Sequence, residues 1–203
     1  MSPPRVFLAS RNVKKVAELR RILEPSVPGI TVLGLGDVAA YDEPAETECT
    51  FEGNALLKAR AAVAATGLPS LADDSGICVE ALNGMPGVLS ARWAGRSKDD
   101  VSNCRLLLDQ LADVPEERRH AEFRCAVALV TPQGEEYLEI GVLRGRVLPA
   151  PQGSGGFGYD PVFAAERHDR STAELSTADK DAISHRGQAL RAIASTVVSA
   201  LAG

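Results

Sequence analysis

The sequence lacks most of the features that announce the common special classes of protein. It has four cysteines, Cys49, Cys78, Cys104 and Cys125, and no two of them stand in CxxC spacing. A zinc site or a dithiol redox motif is therefore not expected. Spread through a chain of this size they do not make a disulfide framework, and reduced, mostly buried thiols are expected. No apolar run approaches the roughly 20 residues that span a bilayer. Residues 1–5 carry no charged segment leading into an apolar run, so no signal peptide is expected and the cytoplasm is the expected compartment. Nor is there a basic excess: 22 Lys and Arg against 27 Asp and Glu leave a net charge of −5. Long nucleic acid demands a broad basic surface, so a nucleic-acid polymer is not the expected partner. A few lysines gathered in one cleft could still hold a small polyanion. The GxxxxGK[ST] phosphate loop is absent from the whole chain.

What is present is ordinary globular material: 203 residues, 45% hydrophobic and 24% charged, enough for one domain over residues 1–203. Residues 6–9 form an apolar run that ends in Ser10-Arg11-Asn12, a buried strand entering a loop. Val16, Leu19, Ile22 and Leu23 then recur at helical spacing, and residues 31–35 suggest a second strand. Residues 42–50 are acidic and irregular. Residues 51–65 read as an alanine-rich helix with Ala55, Ala59, Ala62 and Val63 on one face, ended by Gly67-Leu68-Pro69. A short strand over 70–72 runs into Asp73-Asp74-Ser75-Gly76, and 83–87 is turn-rich. Residues 97–111 predict a helix capped by Ser97, with Asp100 three residues on as in a capping box. Residues 121–130 alternate, with Phe123, Cys125, Val127 and Leu129 on one face, and 137–147 alternate in part. The linker Pro132-Gln133-Gly134 makes these an antiparallel hairpin. Leu190, Ile193, Val197 and Leu201 mark a C-terminal amphipathic helix. Strand–helix units together with a hairpin predict an α/β fold with a mixed sheet.

Four segments carry candidate chemistry. Ser10-Arg11-Asn12-Val13-Lys14-Lys15 lies where a helix begins, and a helix N-terminus offers unpaired N–H groups and a positive dipole end to phosphate. Asp73 and Asp74 end an apolar strand. Side chains alternate there, so only one of the two faces a given site. Carboxylates are magnesium's preferred protein ligands, and Glu46 or Glu48 could add a second. Residues 153–161, GSGGFGYDP, formally contain GxGxxG, but Leu148-Pro149-Ala150-Pro151 precedes them and Pro161 disfavours helix at Asp160. The dinucleotide reading is set aside. The glycines instead let backbone approach a ligand, with Phe157 as a flat face for a base. Ser184-His185-Arg186 can present donors, which pair with a purine 6-oxo group and reject a 6-amino group.

Taken together, SRNVKK, FEGNALLKARAA, LADDSGICVEALNGMPGVLSARWAG, FRCAVALV, GSGGFGYDPVF and ELSTADKDAISHRGQAL resemble, in order and over nearly the whole chain, the inosine-triphosphate pyrophosphatase family in its bacterial branch. The resemblance implies a two-lobed α/β fold with a long mixed sheet flanked by helices and the active site in the cleft between the lobes. It implies a homodimer and Mg²⁺-dependent cleavage between the α- and β-phosphates of non-standard purine nucleoside triphosphates such as ITP, dITP and XTP. By matching positions it implies that Asp74 is the catalytic carboxylate and a metal ligand, with Glu46 as the second ligand. Substrate binding falls to Ser10, Arg11, Asn12, Val13, Lys14 and Lys15 of the first motif and to Lys58 and Ser75. Phe157, Gly158, Tyr159 and Asp160 surround the base, and Lys180, His185 and Arg186 read its edge. Two positions depart from the family pattern. The first motif has Ser10-Arg11 where Thr-Gly or Ser-Gly is usual, and Gly53 stands where a glutamate usually precedes Asn-Ala, with Glu52 displaced by one. A related pyrophosphatase for pyrimidine or modified nucleotides is the alternative enzyme, against which the ISHRG and GGFGYDP segments argue. A non-catalytic nucleotide-binding module could dispense with Asp74.

Overall fold

In the computed structural model, which describes residues 3–202, six strands form one mixed sheet in the order β2-β1-β3-β4-β5-β6. The chain opens with β1 (Arg5–Leu8), whose last three residues are buried, and α1 (Val13–Leu23), which buries Leu19 and Leu23. The helix is the crossover that a parallel neighbour requires. β2 (Thr31–Leu33) returns parallel to β1, with Arg5 opposite Thr31 and Phe7 opposite Leu33.

α2 (Phe51–Thr66) follows the irregular acidic stretch. Thr50 caps it by accepting the Gly53 N–H, and Gly67 closes it in the left-handed conformation that favours glycine. Ala55, Ala59 and Ala62 form its fully buried stripe, while Val63, expected on the same face, is half-buried. β3 (Ser70–Val79) lies parallel on the other side of β1, with Phe7 opposite Ser70. The short strand expected over 70–72 is therefore ten residues long. The acidic pair does not end it, because both carboxylates find partners on neighbouring helices.

α3 (Asp100–Gln110) begins later than expected, and Asp99 rather than Ser97 caps it, its carboxylate accepting the Ser102 N–H at 2.7 Å. Lys98, at φ 54°, turns the chain in between and takes Ser97 out of capping position. β4 (His120–Val130) and β5 (Glu136–Val147) are adjacent in the sheet and joined by five residues, which is too short for a parallel crossover. They form the expected hairpin. From Cys125 to Val130 every β4 residue is buried, so this part is covered on both faces. β6 (Phe163–Ala165) pairs antiparallel with β5. Then come α4 (Thr177–Ile183) and α5 (His185–Ala202). β6 and α4 were not legible in the sequence: at three and seven residues they are too short to show a period.

The described residues divide into two compact units: one of 3–74, 126–140 and 188–202, the other of 75–125 and 141–187. The first has its core around Phe7, Leu8, Leu19 and Leu71. The second is built on Ile77, Val79, Leu107, Leu111, Phe123 and Phe163, the last two edge to face at 4.6 Å. Of the four cysteines, all free, Cys104 and Cys125 are buried, Cys78 is half-buried and Cys49 is exposed. The expectation of mostly buried thiols thus holds for half of them, because Cys49 lies in the solvent-facing acidic stretch. No helix among the described residues is long and apolar enough to cross a membrane.

Candidate active site

Within the first unit, α1, α2 and β3 bring together the cations and carboxylates of three separate sequence segments. Asn54 and Lys58 stand at i and i+4 of α2 and so share a face. Asn54, fully buried, donates from Nδ2 to Asp74 Oδ2 at 2.9 Å, and its own Oδ1 accepts the Glu48 N–H at 3.0 Å. Lys58 Nζ lies 3.0 Å from Glu46 Oε1 and 3.6 Å from Asp74 Oδ1. Burial works to lower the Lys58 pKa, but the Asp74 and Glu46 carboxylates, with Asp73 behind them, outweigh it and hold it above its ordinary value. The ammonium is therefore charged at neutral pH. Asp73 points elsewhere, as strand alternation requires. It accepts both hydrogen bonds of Lys15 Nζ, at 2.9 and 3.1 Å.

The rest of the first motif serves α1 itself. Asn12 caps it, its Oδ1 accepting the Lys14 N–H at 2.9 Å, and the Ser10 hydroxyl accepts the Asn12 N–H. Arg11 pairs with Glu43 on the surface, and Val13 and Lys14 are exposed. Gly53, the departure from the family pattern, has a local cause: a Cβ there would meet Glu48 Cβ at 2.7 Å.

Three carboxylates (Glu46, Asp73, Asp74) face two ammoniums (Lys15, Lys58), one negative charge in excess. Such a cluster repels a polyphosphate unless a cation joins it. Glu46 and Asp74, which converge on the same ammonium, are hard oxygen donors of the kind that suits a divalent ion completed by phosphate and water. Among the described residues no set of three or more His, Cys, Asp or Glu is grouped to hold a metal ion.

Within the second unit, the glycine loop carries Phe157, 70% exposed. It is not a core residue. Lys180 Nζ stands 4.7 Å from its ring centroid and also pairs with Asp160 Oδ2. The same Oδ2 accepts the Phe157 N–H at 2.7 Å, while Oδ1 accepts the Thr172 hydroxyl at 2.9 Å. Asp160, 4% exposed, thus ties both Phe157 and Lys180 in place. Gly156 has to be glycine, because it is left-handed at φ 75° and a Cβ would fall on the Asp160 carboxylate. Tyr159 is buried and donates to the Ser90 carbonyl at 2.8 Å, and burial pushes its phenol well above the ordinary range. A pocket of about 450 Å³, in the size range of small-molecule sites, lies between this loop and Val101, Cys104 and Leu108 of α3. The loop leads into a 3-10 turn over Asp160–Val162 rather than an α-helix, which agrees with setting aside the dinucleotide reading.

His185 opens α5, and its ring stacks on Phe123 at 5.1 Å and 11°. Ser184 caps this helix by accepting the Gly187 N–H at 2.9 Å, and Arg186 is half-buried in the first turn. Ser75 follows Asp74 on β3 and is half-buried. Two residues with evident work were not singled out from the sequence: Asn54 and Thr172. Asn54 stood inside a quoted motif, and its place one helical turn before Lys58 was the available signal.

The Ham1 family model matches residues 6–196. A dITP/XTP pyrophosphatase of Nocardia farcinica is 58% identical over 192 residues, covering 94% of this chain and 93% of that one. The dITP/XTP pyrophosphatase of Mycobacterium tuberculosis is 57% identical over 187 residues, 92% and 91% of the two chains. Among solved structures, the nucleoside-triphosphatase (dITP/XTP pyrophosphatase) of Mycobacterium abscessus is 53% identical with a TM-score of 0.81, over 93% of this chain and 98% of that one. The Ham1 protein of Staphylococcus aureus is 35% identical with a TM-score of 0.88, over 96% and 98%.

Proposed function

The chain belongs to the Ham1 family, and from that premise we propose that it is a pyrophosphatase for non-standard purine nucleoside triphosphates, with dITP, ITP and XTP as substrates. The observation that carries the reading is the Asn54–Asp74–Lys58–Glu46 cluster: one carboxylate fixed by an amide, with the charged Lys58 beside it. The chain acts as one domain over residues 1–203, in the cytoplasm, as a homodimer; light scattering checks the last.

Mg²⁺ fits the residues present. Asp74 and Glu46 would hold it, and when bound it supplies the positive charge that the cluster lacks against the phosphate tail. The chain's own groups do the rest. Asn54 holds Asp74 Oδ2, so the Asp74 carboxylate is presented in one orientation to take a proton from the attacking water. The water oxygen bonds to the α-phosphorus, and the bond to the β-phosphate oxygen breaks with its electron pair, so pyrophosphate departs. Lys15 and Lys58 neutralise the departing charge. Phosphoryl transfer rests mainly on such positioning and electrostatics. Phe157 stacks on the base in place of the Lys180 ammonium. Lys180, His185 and Arg186 supply donors to a 6-oxo group, and a 6-amino group would leave such a donor without its partner.

The test is direct. The purified protein is incubated with ITP, XTP, ATP, dTTP and NADH, with and without Mg²⁺, and pyrophosphate and orthophosphate are measured separately. Pyrophosphate from ITP and XTP, dependent on Mg²⁺ and far above that from ATP and dTTP, is the expected result. Absence of pyrophosphate from both purines would sink the reading.

A further inference from the structure

The peptide that follows Phe157 is held from outside its own loop. Asp100, in the first turn of α3, accepts the Gly158 N–H on Oδ2 at 2.7 Å. Cys104, one helical turn further, donates its thiol to the Gly158 carbonyl at 3.3 Å. The i, i+4 spacing places both on one helix face, and that face meets both polar groups of a single residue. Gly158 is left-handed at φ 59°. Its predecessor Phe157 is 70% exposed, so side-chain packing does little to fix the ring. The ring's place follows from the backbone, pinned on one side by Asp160 on the Phe157 N–H and on the other by α3 on Gly158.

We propose that Asp100 and Cys104 are positioning residues for base recognition: from α3 they clamp Gly158 and thereby hold the exposed Phe157 ring ready to stack. The proposal rests on the nucleotide reading given above. The Cys104 thiol stays protonated at neutral pH, since burial, with the Asp100 and Asp160 charges, pushes it up to about 11, so it is a donor throughout the physiological range. The Asp100 contact is the stronger of the two, because hydrogen bonds to a charged group exceed neutral ones about twofold. A preorganised ring spares the loop the ordering cost on binding. Loss of the clamp therefore weakens binding of any base-bearing ligand and leaves the phosphate end unaffected.

The experiment compares wild type, Asp100→Ala, Asp100→Asn, Cys104→Ala and Cys104→Ser, with Mg²⁺. KM and kcat for ITP and the inhibition constant of inorganic tripolyphosphate, which has no base, are measured for each. Asp100→Ala is expected to raise KM for ITP about tenfold or more, the scale of one charge-assisted hydrogen bond. It should move kcat less than about threefold and leave tripolyphosphate inhibition unchanged. Asp100→Asn, which keeps an acceptor oxygen, should fall between, and Cys104→Ser should recover most of a smaller loss in Cys104→Ala. If Asp100→Ala does not fold, Asp100→Asn and the cysteine pair decide. An ITP KM within twofold of wild type in all variants overturns the clamp. So does a parallel loss of ITP and tripolyphosphate binding, which would mark general disruption. Inactivity of the wild type itself on ITP would instead overturn the nucleotide reading.

Discussion

Asn54→Leu isolates what holds the Asp74 carboxylate. Leucine has asparagine's branched side-chain skeleton and favours helix, so α2 is preserved, although its two methyl groups are bulkier than the amide at this fully buried site. Two hydrogen bonds disappear: the amide to Asp74 Oδ2 at 2.9 Å, and the Glu48 N–H to Asn54 Oδ1 at 3.0 Å. The first is to a charged group at a fully buried site and is worth about 1.5–3 kcal/mol; the second is neutral and worth about 0.5–1.5 kcal/mol. The expected loss of stability is thus about 2–4.5 kcal/mol. For a chain of this length each kcal/mol moves the melting temperature by roughly 2–4 °C, so Tm should fall by about 5–15 °C. Asp74 keeps Lys58 nearby at 3.6 Å but loses the group that sets its orientation. Turnover of ITP should therefore drop by about tenfold or more at a temperature where the variant is folded. Differential scanning calorimetry gives the first quantity, and pyrophosphate release under saturating ITP gives the second. A variant with wild-type Tm and wild-type kcat would refute the reasoning, since neither hydrogen bond would then matter.

Asp74→Asn should lose at least about 10²-fold in turnover, the lower end of general-base contributions, while still binding nucleotide; near-normal turnover would remove Asp74 from the chemistry. His185→Ala should narrow the preference for ITP over ATP, measured as the ratio of kcat/KM values; an unchanged ratio would leave Phe123 stacking as the residue's whole role. Stability should decline in alkali through Cys104. Burial raises its pKa to about 11, above the ordinary thiol value of 9.0, so the protonated thiol's contribution is complete below pH 9 and is lost as pH rises towards 11, up to about 2–3 kcal/mol. Denaturant titrations at pH 7 and pH 10.5 measure this, and Cys104→Ala should show a smaller difference between the two pH values than wild type.

Much of this protein was readable before any coordinates. Elements long enough to repeat their pattern were visible: the β4–β5 alternation, the alanine stripe of α2 and the apolar face of α5. So were the motifs, because a strand-end aspartate pair, a glycine loop with one aromatic and a Ser-His-Arg run are local patterns. β6 and α4, each with fewer than two full repeats, were not. The α3 cap was misassigned because Lys98's left-handed turn is a backbone choice that residue identity does not announce.

Partnership was decided elsewhere. Asn54 and Asp74 are 20 positions apart, Lys15 and Asp73 58, and Asp100 and Gly158 58. Local pattern cannot join groups at such separations. Sheet order and helix placement do, by bringing α1 and α2 to the carboxylates of β3 and α3 to the glycine loop. Composition and spacing single out the candidate groups, whereas the satisfaction of each buried charge depends on which distant segment packs against it.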